Sequence, residues 1–210
     1  MSKRFLIILL VCVLGLIGIY AVTSKKDQDK SSKATPSNNL YGSNSKNVTL
    51  IEYGDFQCPA CGSYYPIIKQ LKEKYADDIQ FQFRNFPLSQ IHPNARFASR
   101  AAQAAANQNK FWEMHDLLYE QQDTWSGMGD PSAVFQSYAS RLELDIEKYK
   151  ADIANSQTNE VINADYAEGV KSGVDSTPVF FLQGKKLDTN PQTLDDFSKL
   201  IDEAIKETNQ

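Results

Sequence analysis

The chain has 210 residues, with 22 Lys or Arg against 26 Asp or Glu, and a formal net charge of -4. Residues 1–46 hold seven basic and two acidic residues (+5), whereas residues 47–210 hold 15 basic and 24 acidic residues (-9). The acidic second part argues against nucleic-acid binding, which needs clustered basic residues, and it is long enough to form one domain with its own core.

The N-terminal segment predicts a membrane anchor. The 18 residues from Phe5 to Val22 carry no charge, and lysines lie on both sides of them. As a helix this run is about 27 Å long, close to the bilayer core of about 30 Å. The alternative is a cleaved signal peptide, although such apolar regions usually span only about 7–15 residues. We therefore predict a single-pass transmembrane anchor, or a signal peptide, over residues 1–22.

Residues 23–46 are rich in Lys, Ser, Asn and Asp and predict a flexible linker. A nearly continuous apolar run, Val48–Tyr53, predicts a strand covered on both faces. From Cys61 to Tyr75 the apolar residues recur on one helical face, and Pro66 should kink that helix. The alternation over Ile79–Phe86 predicts a second strand, so the pattern indicates a right-handed βαβ unit.

Residues 92–173 are predicted to be helical, and the strand pattern returns after them. Pro178–Leu182 predicts a buried strand, Gly184–Lys186 a hairpin turn, and the apolar spacing from Leu194 to Ile205 an amphipathic helix. The order βαβ, helical block, ββα predicts an α/β domain over residues 47–210 with a helical insertion.

The sequence Cys58-Pro59-Ala60-Cys61 lies at the predicted start of the first helix. Pro59 suits the first turn, where no backbone N–H is needed. Cys58 would then face unpaired N–H groups and the positive end of the helix dipole, and both favour its thiolate. Such pairs have a first thiol with a pKa of roughly 3.5–7. Because a low pKa stabilises the dithiol form, and Ala60 adds no charge, we expect an oxidising disulfide.

Two further positions support this site. Glu52 lies six residues before Cys58, and if buried it would have a raised pKa and could exchange protons with Cys61. The alternative is a position facing solvent, which the strand alternation also permits. Thr177-Pro178 precedes the predicted buried strand, where proline suits a position without a ladder hydrogen bond.

Four features resemble the DsbA-like branch of the thioredoxin superfamily. They are the segments Glu52–Cys61, Phe111–Asp116 and Thr177–Phe181, together with the helical block between the strands. The resemblance implies a thioredoxin-like fold over residues 47–206, with Cys58 as the attacking and Cys61 as the resolving sulfur. It also implies a cis Thr177–Pro178 peptide that offers backbone hydrogen bonds to substrate, and a buried acid at Glu52.

Two departures from the resembled family leave the direction of the reaction open. Pro59-Ala60 stands where the best-studied relatives carry Pro-His, and Thr177 replaces a frequent valine. The expected function is an extracytoplasmic oxidase that donates the Cys58–Cys61 disulfide to exported proteins. A reductase or isomerase, or a non-catalytic binding module, are the alternatives.

The expected setting follows from the anchor and the resemblance together. The catalytic domain would lie outside the cytosol, on the cell membrane, as a monomer. A DsbB-like or quinone-reductase-like membrane partner would reoxidise it. No cofactor beyond the disulfide is expected. No metal is expected either, because the spacing of His92 and His115 from the cysteines matches no common zinc pattern.

Overall fold

Five strands form one mixed sheet in the part of the chain that the computed structural model describes, residues 34–208. The strand order is β1-β3-β2-β4-β5. β2 runs parallel to β3 and antiparallel to β4, while β1 and β5 pair antiparallel at the two edges. The strands are β1 (Asn39–Tyr41), β2 (Val48–Gly54), β3 (Ile79–Asn85), β4 (Val179–Leu182) and β5 (Lys185–Lys186).

Helix α1 connects the parallel strands β2 and β3, as the βαβ prediction required. Six helices then separate β3 from β4 and form the predicted insertion, and a last helix follows β5. The helices are α1 (Pro59–Tyr75), α2 (Ala95–Ala106), α3 (Phe111–Glu120), α4 (Gln122–Trp125), α5 (Ser132–Arg141), α6 (Ile146–Ala154), α7 (Ser156–Lys171) and α8 (Leu194–Thr208).

Alternation along β2 and β3 decides which side chains face the main core. Val48 and Leu50 on β2, with Ile79 and Phe81 on β3, pack in one cluster of buried residues. That cluster includes apolar residues of α1 and α8, so both helices cover this face of the sheet. Glu52 continues the Val48–Leu50 series and is paired in register with Phe83, so its side chain is directed to the same interior.

The helical insertion has its own apolar core, which reaches the start of α1. Phe56, Cys58, Cys61 and Phe83 belong to this core together with buried side chains of α2, α3, α5 and α6. Burial of apolar area is the main force that holds such layers together. The cysteine pair is therefore packed between the sheet domain and the insertion.

Two predicted boundaries were wrong. The predicted linker 23–46 includes β1, whose residue Leu40 pairs with Gln82 and accepts a hydrogen bond from Trp112 Nε1 at 2.8 Å. These partners lie far along the chain, so composition alone could not reveal them. The hairpin turn is centred on Gln183 and Gly184, both in the left-handed region (φ 51° and 74°), and the two lysines that follow form β5.

Helix α1 runs through Pro66 without a break in its helical assignment. Among residues 34–208, no helix is long and apolar enough to cross a membrane. The predicted anchor over residues 1–22, and the start of the predicted linker, lie outside the described residues.

Candidate active site

Cys58 is the N-cap residue of α1, as predicted. Its backbone is extended (φ -68°, ψ 121°), and Pro59 occupies the first helical position. The Cys58 N–H donates to the carbonyl of Asp55 at 3.1 Å, and the Cys58 carbonyl accepts from the N–H of Gly62 at 3.1 Å. The short loop from β2 thus turns directly into the helix, with the Cys58 sulfur at the end where the helix N–H groups are unpaired.

Cys58 is the more accessible sulfur of the pair, although only 7% of the residue is exposed. As a thiol it lies 3.5 Å from the carbonyl of Thr177. Its pKa is lowered to about 5, first by a hydrogen bond from the Cys61 side chain and further by the Thr177 side chain and the N–H groups of Cys61 and Ala60, while burial opposes the shift. Cys58 is therefore largely a thiolate at neutral pH.

Cys61 lies one turn further along α1 and has the opposite character. The residue is 0% exposed. Burial raises its pKa well above the ordinary value, and the hydrogen bond it gives to Cys58 and the nearby Glu52 carboxylate add to the effect. One thiol is stabilised as an anion and the other keeps its proton, a difference that is typical of a reactive Cys-x-x-Cys pair.

Glu52 is buried, and the alternative of a solvent-facing position was wrong. The residue is 7% exposed. Its pKa is raised to about 8, mainly by burial and slightly by the Cys58 anion, while the Lys72 ammonium opposes the shift. The Glu52 carboxylate also raises the pKa of Cys61, so its charge acts on the buried thiol. A carboxyl with a pKa near 8 can give or take a proton at physiological pH.

A buried cation that sequence reasoning missed lies near Glu52. Lys72 Nζ is 3.2 Å from Asp116 Oδ1 and lies over the Trp112 ring, 4.2 Å from its centroid. Burial lowers the pKa of Lys72. The signal was present in the spacing, because positions 61, 65, 68 and 72 share the buried face of α1, where a lysine is unexpected.

The other predicted positions flank the pair. The Thr177–Pro178 peptide is cis. Ala60 is exposed in the first turn, so the dipeptide presents no charge beside Cys58.

The two histidines lie in separate hydrogen-bonded pairs. His115 is buried in α3 among aromatic rings and bonds Asp116 at 2.9 Å, while His92 bonds Asp55 at 2.7 Å. Within residues 34–208 no group of three or more His, Cys, Asp or Glu side chains could hold a metal ion.

The loop before Cys58 is held by polar side chains that sequence reasoning also missed. The carboxylate of Asp55 accepts from the N–H groups of Gln57 and Leu88, and the Gln57 side chain accepts from the N–H of Asn94 at 2.6 Å. Gln122 donates to two carbonyls of this loop. Their partners are 30 or more residues away in most cases, so no local pattern marks them.

A reactive Cys-x-x-Cys pair at a helix start, on a mixed sheet with a helical insertion, defines a thioredoxin-like dithiol–disulfide protein. Residues 34–203 match the family model described as Thioredoxin. The chain belongs to the thioredoxin family, so the thioredoxin-superfamily part of the resemblance is confirmed.

Solved structures agree with this fold. BdbD from Bacillus subtilis, in its oxidised form, has a TM-score of 0.71 and 21% identity, over 83% of this chain and 97% of that one. Wolbachia pipientis alpha-DsbA1 has a TM-score of 0.68 and 20% identity, over 83% and 94% of the two chains. At these identities the similarity shows the fold. The predicted thioredoxin-like α/β fold with a helical insertion is thereby confirmed.

A curated relative is more similar in sequence and much longer. The chain is 38% identical over 139 residues to Na(+)/H(+) antiporter NhaA 3 of Salinispora tropica, a match that covers 66% of this chain and 20% of the relative. The chain thus spans about a fifth of the length of the curated relatives it matches.

Proposed function

We propose that this protein is an extracytoplasmic thiol oxidase that donates the Cys58–Cys61 disulfide to exported proteins with reduced cysteines. The observation that carries the proposal is the asymmetry of the two sulfurs: Cys58 is partly accessible with a pKa of about 5, and Cys61 is fully buried with a raised pKa. Membership of the thioredoxin family supports an oxidoreductase.

The reaction begins from the disulfide form. A substrate thiolate attacks the Cys58 sulfur, the Cys58–Cys61 bond breaks, and its electrons go to Cys61. The leaving Cys61 sulfur takes a proton, for which the buried Glu52 carboxyl is the nearby source. A second substrate thiolate then attacks the substrate sulfur of the mixed disulfide, and Cys58 leaves as its stabilised thiolate. Two substrate thiols become one disulfide, and the protein becomes a dithiol.

Thiolate stabilisation favours this direction over reduction. At pH 7 a group with a pKa near 5 is about 99% ionised, which stabilises the dithiol form about a hundredfold over an ordinary cysteine pair. For a two-electron couple this raises the reduction potential by at most about 60 mV. Reductases or isomerases of the same fold remain the alternative, and so does a binding module without exchange activity.

The proposed setting is the outer side of the cell membrane, with residues 1–22 as a single-pass anchor. A DsbB-like or quinone-reductase-like membrane protein would accept the two electrons and regenerate the disulfide, and the domain would act as a monomer. The Thr177–Pro178 loop, whose Thr177 carbonyl lies 3.5 Å from the Cys58 sulfur, would pair with an extended substrate segment.

The test is the redox equilibrium of the purified full-length protein. The protein is equilibrated in glutathione buffers, the thiols are alkylated, and the dithiol fraction is read by mass. A potential well above about -200 mV supports disulfide donation, whereas one near -270 mV supports the reductase alternative. A Cys58→Ser variant that oxidised substrate at the wild-type rate would refute the mechanism, and a wild-type disulfide inert to glutathione would favour the binding module.

A further inference from the structure

One side chain of the helical insertion forms hydrogen bonds with the backbone at and before the nucleophile, Cys58. Gln122, the first residue of α4, donates from Nε2 to the carbonyl of Phe56 at 2.7 Å and to the carbonyl of Cys58 at 3.0 Å. Gln122 is half-buried, and it lies 64 residues from Cys58 in sequence. A single amide group therefore joins two carbonyls that lie on either side of Gln57.

One of the two carbonyls, that of Cys58, also takes part in the first turn of α1. The Cys58 carbonyl also accepts the Gly62 N–H, so Gln122 and the first turn of α1 hold the same oxygen. The N–H groups of Ala60 and Cys61, which favour the Cys58 thiolate, lie in that first turn. A hydrogen bond to a thiolate weakens steeply with angle and distance, so the orientation of this turn controls how well the anion is stabilised.

Gly62 leaves room for this contact. A Cβ atom added at Gly62 would lie 2.5 Å from Gln122 Oε1, closer than real Cβ atoms approach an oxygen. The atom it would meet is the far end of a flexible side chain, so an alanine at position 62 would displace the Gln122 amide rather than the backbone. Gly62 thus permits the amide of Gln122 to reach both carbonyls.

We propose that Gln122 is a positioning residue for Cys58: its amide fixes the loop and first helical turn in the geometry that stabilises the reactive thiolate. The proposal rests on the thiol–disulfide exchange proposed above and adds a determinant of its strength that lies outside the Cys-x-x-Cys segment.

The first variant is Gln122→Met, which keeps the side-chain length and removes the donor. We expect the ratio of dithiol to disulfide protein in a given glutathione buffer to fall about fivefold. This change corresponds to the loss of about one ordinary hydrogen bond. Absorbance of the thiolate near 240 nm, followed against pH, should show a smaller ionised fraction of Cys58 at pH 5. The matched control is Gln121→Met. The side chain of the neighbouring Gln121 makes no capping hydrogen bond to α4, so both readouts should stay within twofold of wild type.

The second variant, Gly62→Ala, separates positioning from stability. The helix preference of alanine offsets the lost Gln122 hydrogen bonds, so the free energy of unfolding should stay close to that of wild type. The glutathione equilibrium and the thiolate fraction should move as in Gln122→Met. In the double variant the two changes should not add, because both remove the same contact.

Wild-type equilibria and thiolate fractions in Gln122→Met or in Gly62→Ala would overturn the proposal, and so would full additivity in the double variant. If Gln122→Met fails to fold, the result with Gly62→Ala decides. These readouts compare variants with wild type, so they test Gln122 even if the wild-type potential proves reducing and the oxidase proposal fails.

Discussion

Replacing Glu52 by Gln should make the oxidised protein more stable at alkaline pH. Burial raises the pKa of Glu52 from 4.5 to about 8, so the folded state holds a neutral carboxyl where the unfolded chain holds a carboxylate. Glutamine has nearly the same shape and never ionises. The substitution therefore removes the cost of burying a charge while it keeps the packing next to α1.

The magnitude follows from proton linkage. Between pH 4.5 and pH 8 the folded state binds a proton that the unfolded state has lost, so stability falls as pH rises through this range. Below pH 4.5 both states are protonated and the contribution is fully retained. Three and a half pH units at about 1.36 kcal/mol each set an upper bound of about 5 kcal/mol on this loss. In the disulfide form the loss is smaller, because the Cys58 anion that contributes to the raised pKa is absent.

The assay is urea unfolding of the disulfide form, in which neither cysteine titrates, at several pH values from 4.5 to 8.5. The free energy of unfolding of Glu52→Gln minus that of wild type should increase with pH by several kcal/mol. Taking this difference cancels the titration of all other groups. Glu203→Gln, at an exposed position on α8, is the matched control and should show a difference near zero. A difference for Glu52→Gln that is independent of pH would refute the assignment of a neutral buried Glu52.

Three further predictions concern the site and its support. Thr177→Val should raise the pKa of Cys58 above its value of about 5, because the Thr177 side chain favours the thiolate; thiolate absorbance against pH measures this, and an unchanged titration would contradict it. His115→Leu should make the stability of the fold less sensitive to acid. Burial lowers the pKa of His115 from 6.5 to about 4, so the free energy of unfolding of wild type falls by about 3 kcal/mol between pH 6.5 and pH 4. Urea unfolding at pH 4 and pH 7 should show a smaller fall in the variant. A truncation of residues 1–41 lacks β1 and the Tyr41 ring over Lys72, whereas a truncation of residues 1–33 keeps both. The longer truncation should have a free energy of unfolding lower by at least about 3 kcal/mol. Equal thermal midpoints for the two truncations would show that β1 is dispensable.

Local chemistry explains why much of the fold could be predicted from sequence. Proline at the first helical position, next to a cysteine N-cap, places Cys58 at the start of α1 whatever surrounds it. The alternation along β3 and the 3.6-residue period of α1 predict which of their faces are buried. These patterns depend on residues a few positions apart, and all of these elements occur in the predicted order.

Contacts distant in sequence decided the rest. The alternation along β2 did not decide whether Glu52 faces the core or solvent. The packing of α1 and the insertion over β2 buries Glu52 and raises its pKa. Residues 39–41 have a linker-like composition and become a strand only because β3 has a free edge to pair with. Lys72 lies close enough to Glu52 to affect its pKa only in the folded protein. Gln122 likewise reaches the Cys58 carbonyl only when α4 packs against the start of α1. Sequence by itself determined the reactive pair and its helix. The tertiary structure decided the environment of that pair, because burial and hydrogen bonding depend on groups that the chain brings together only by folding.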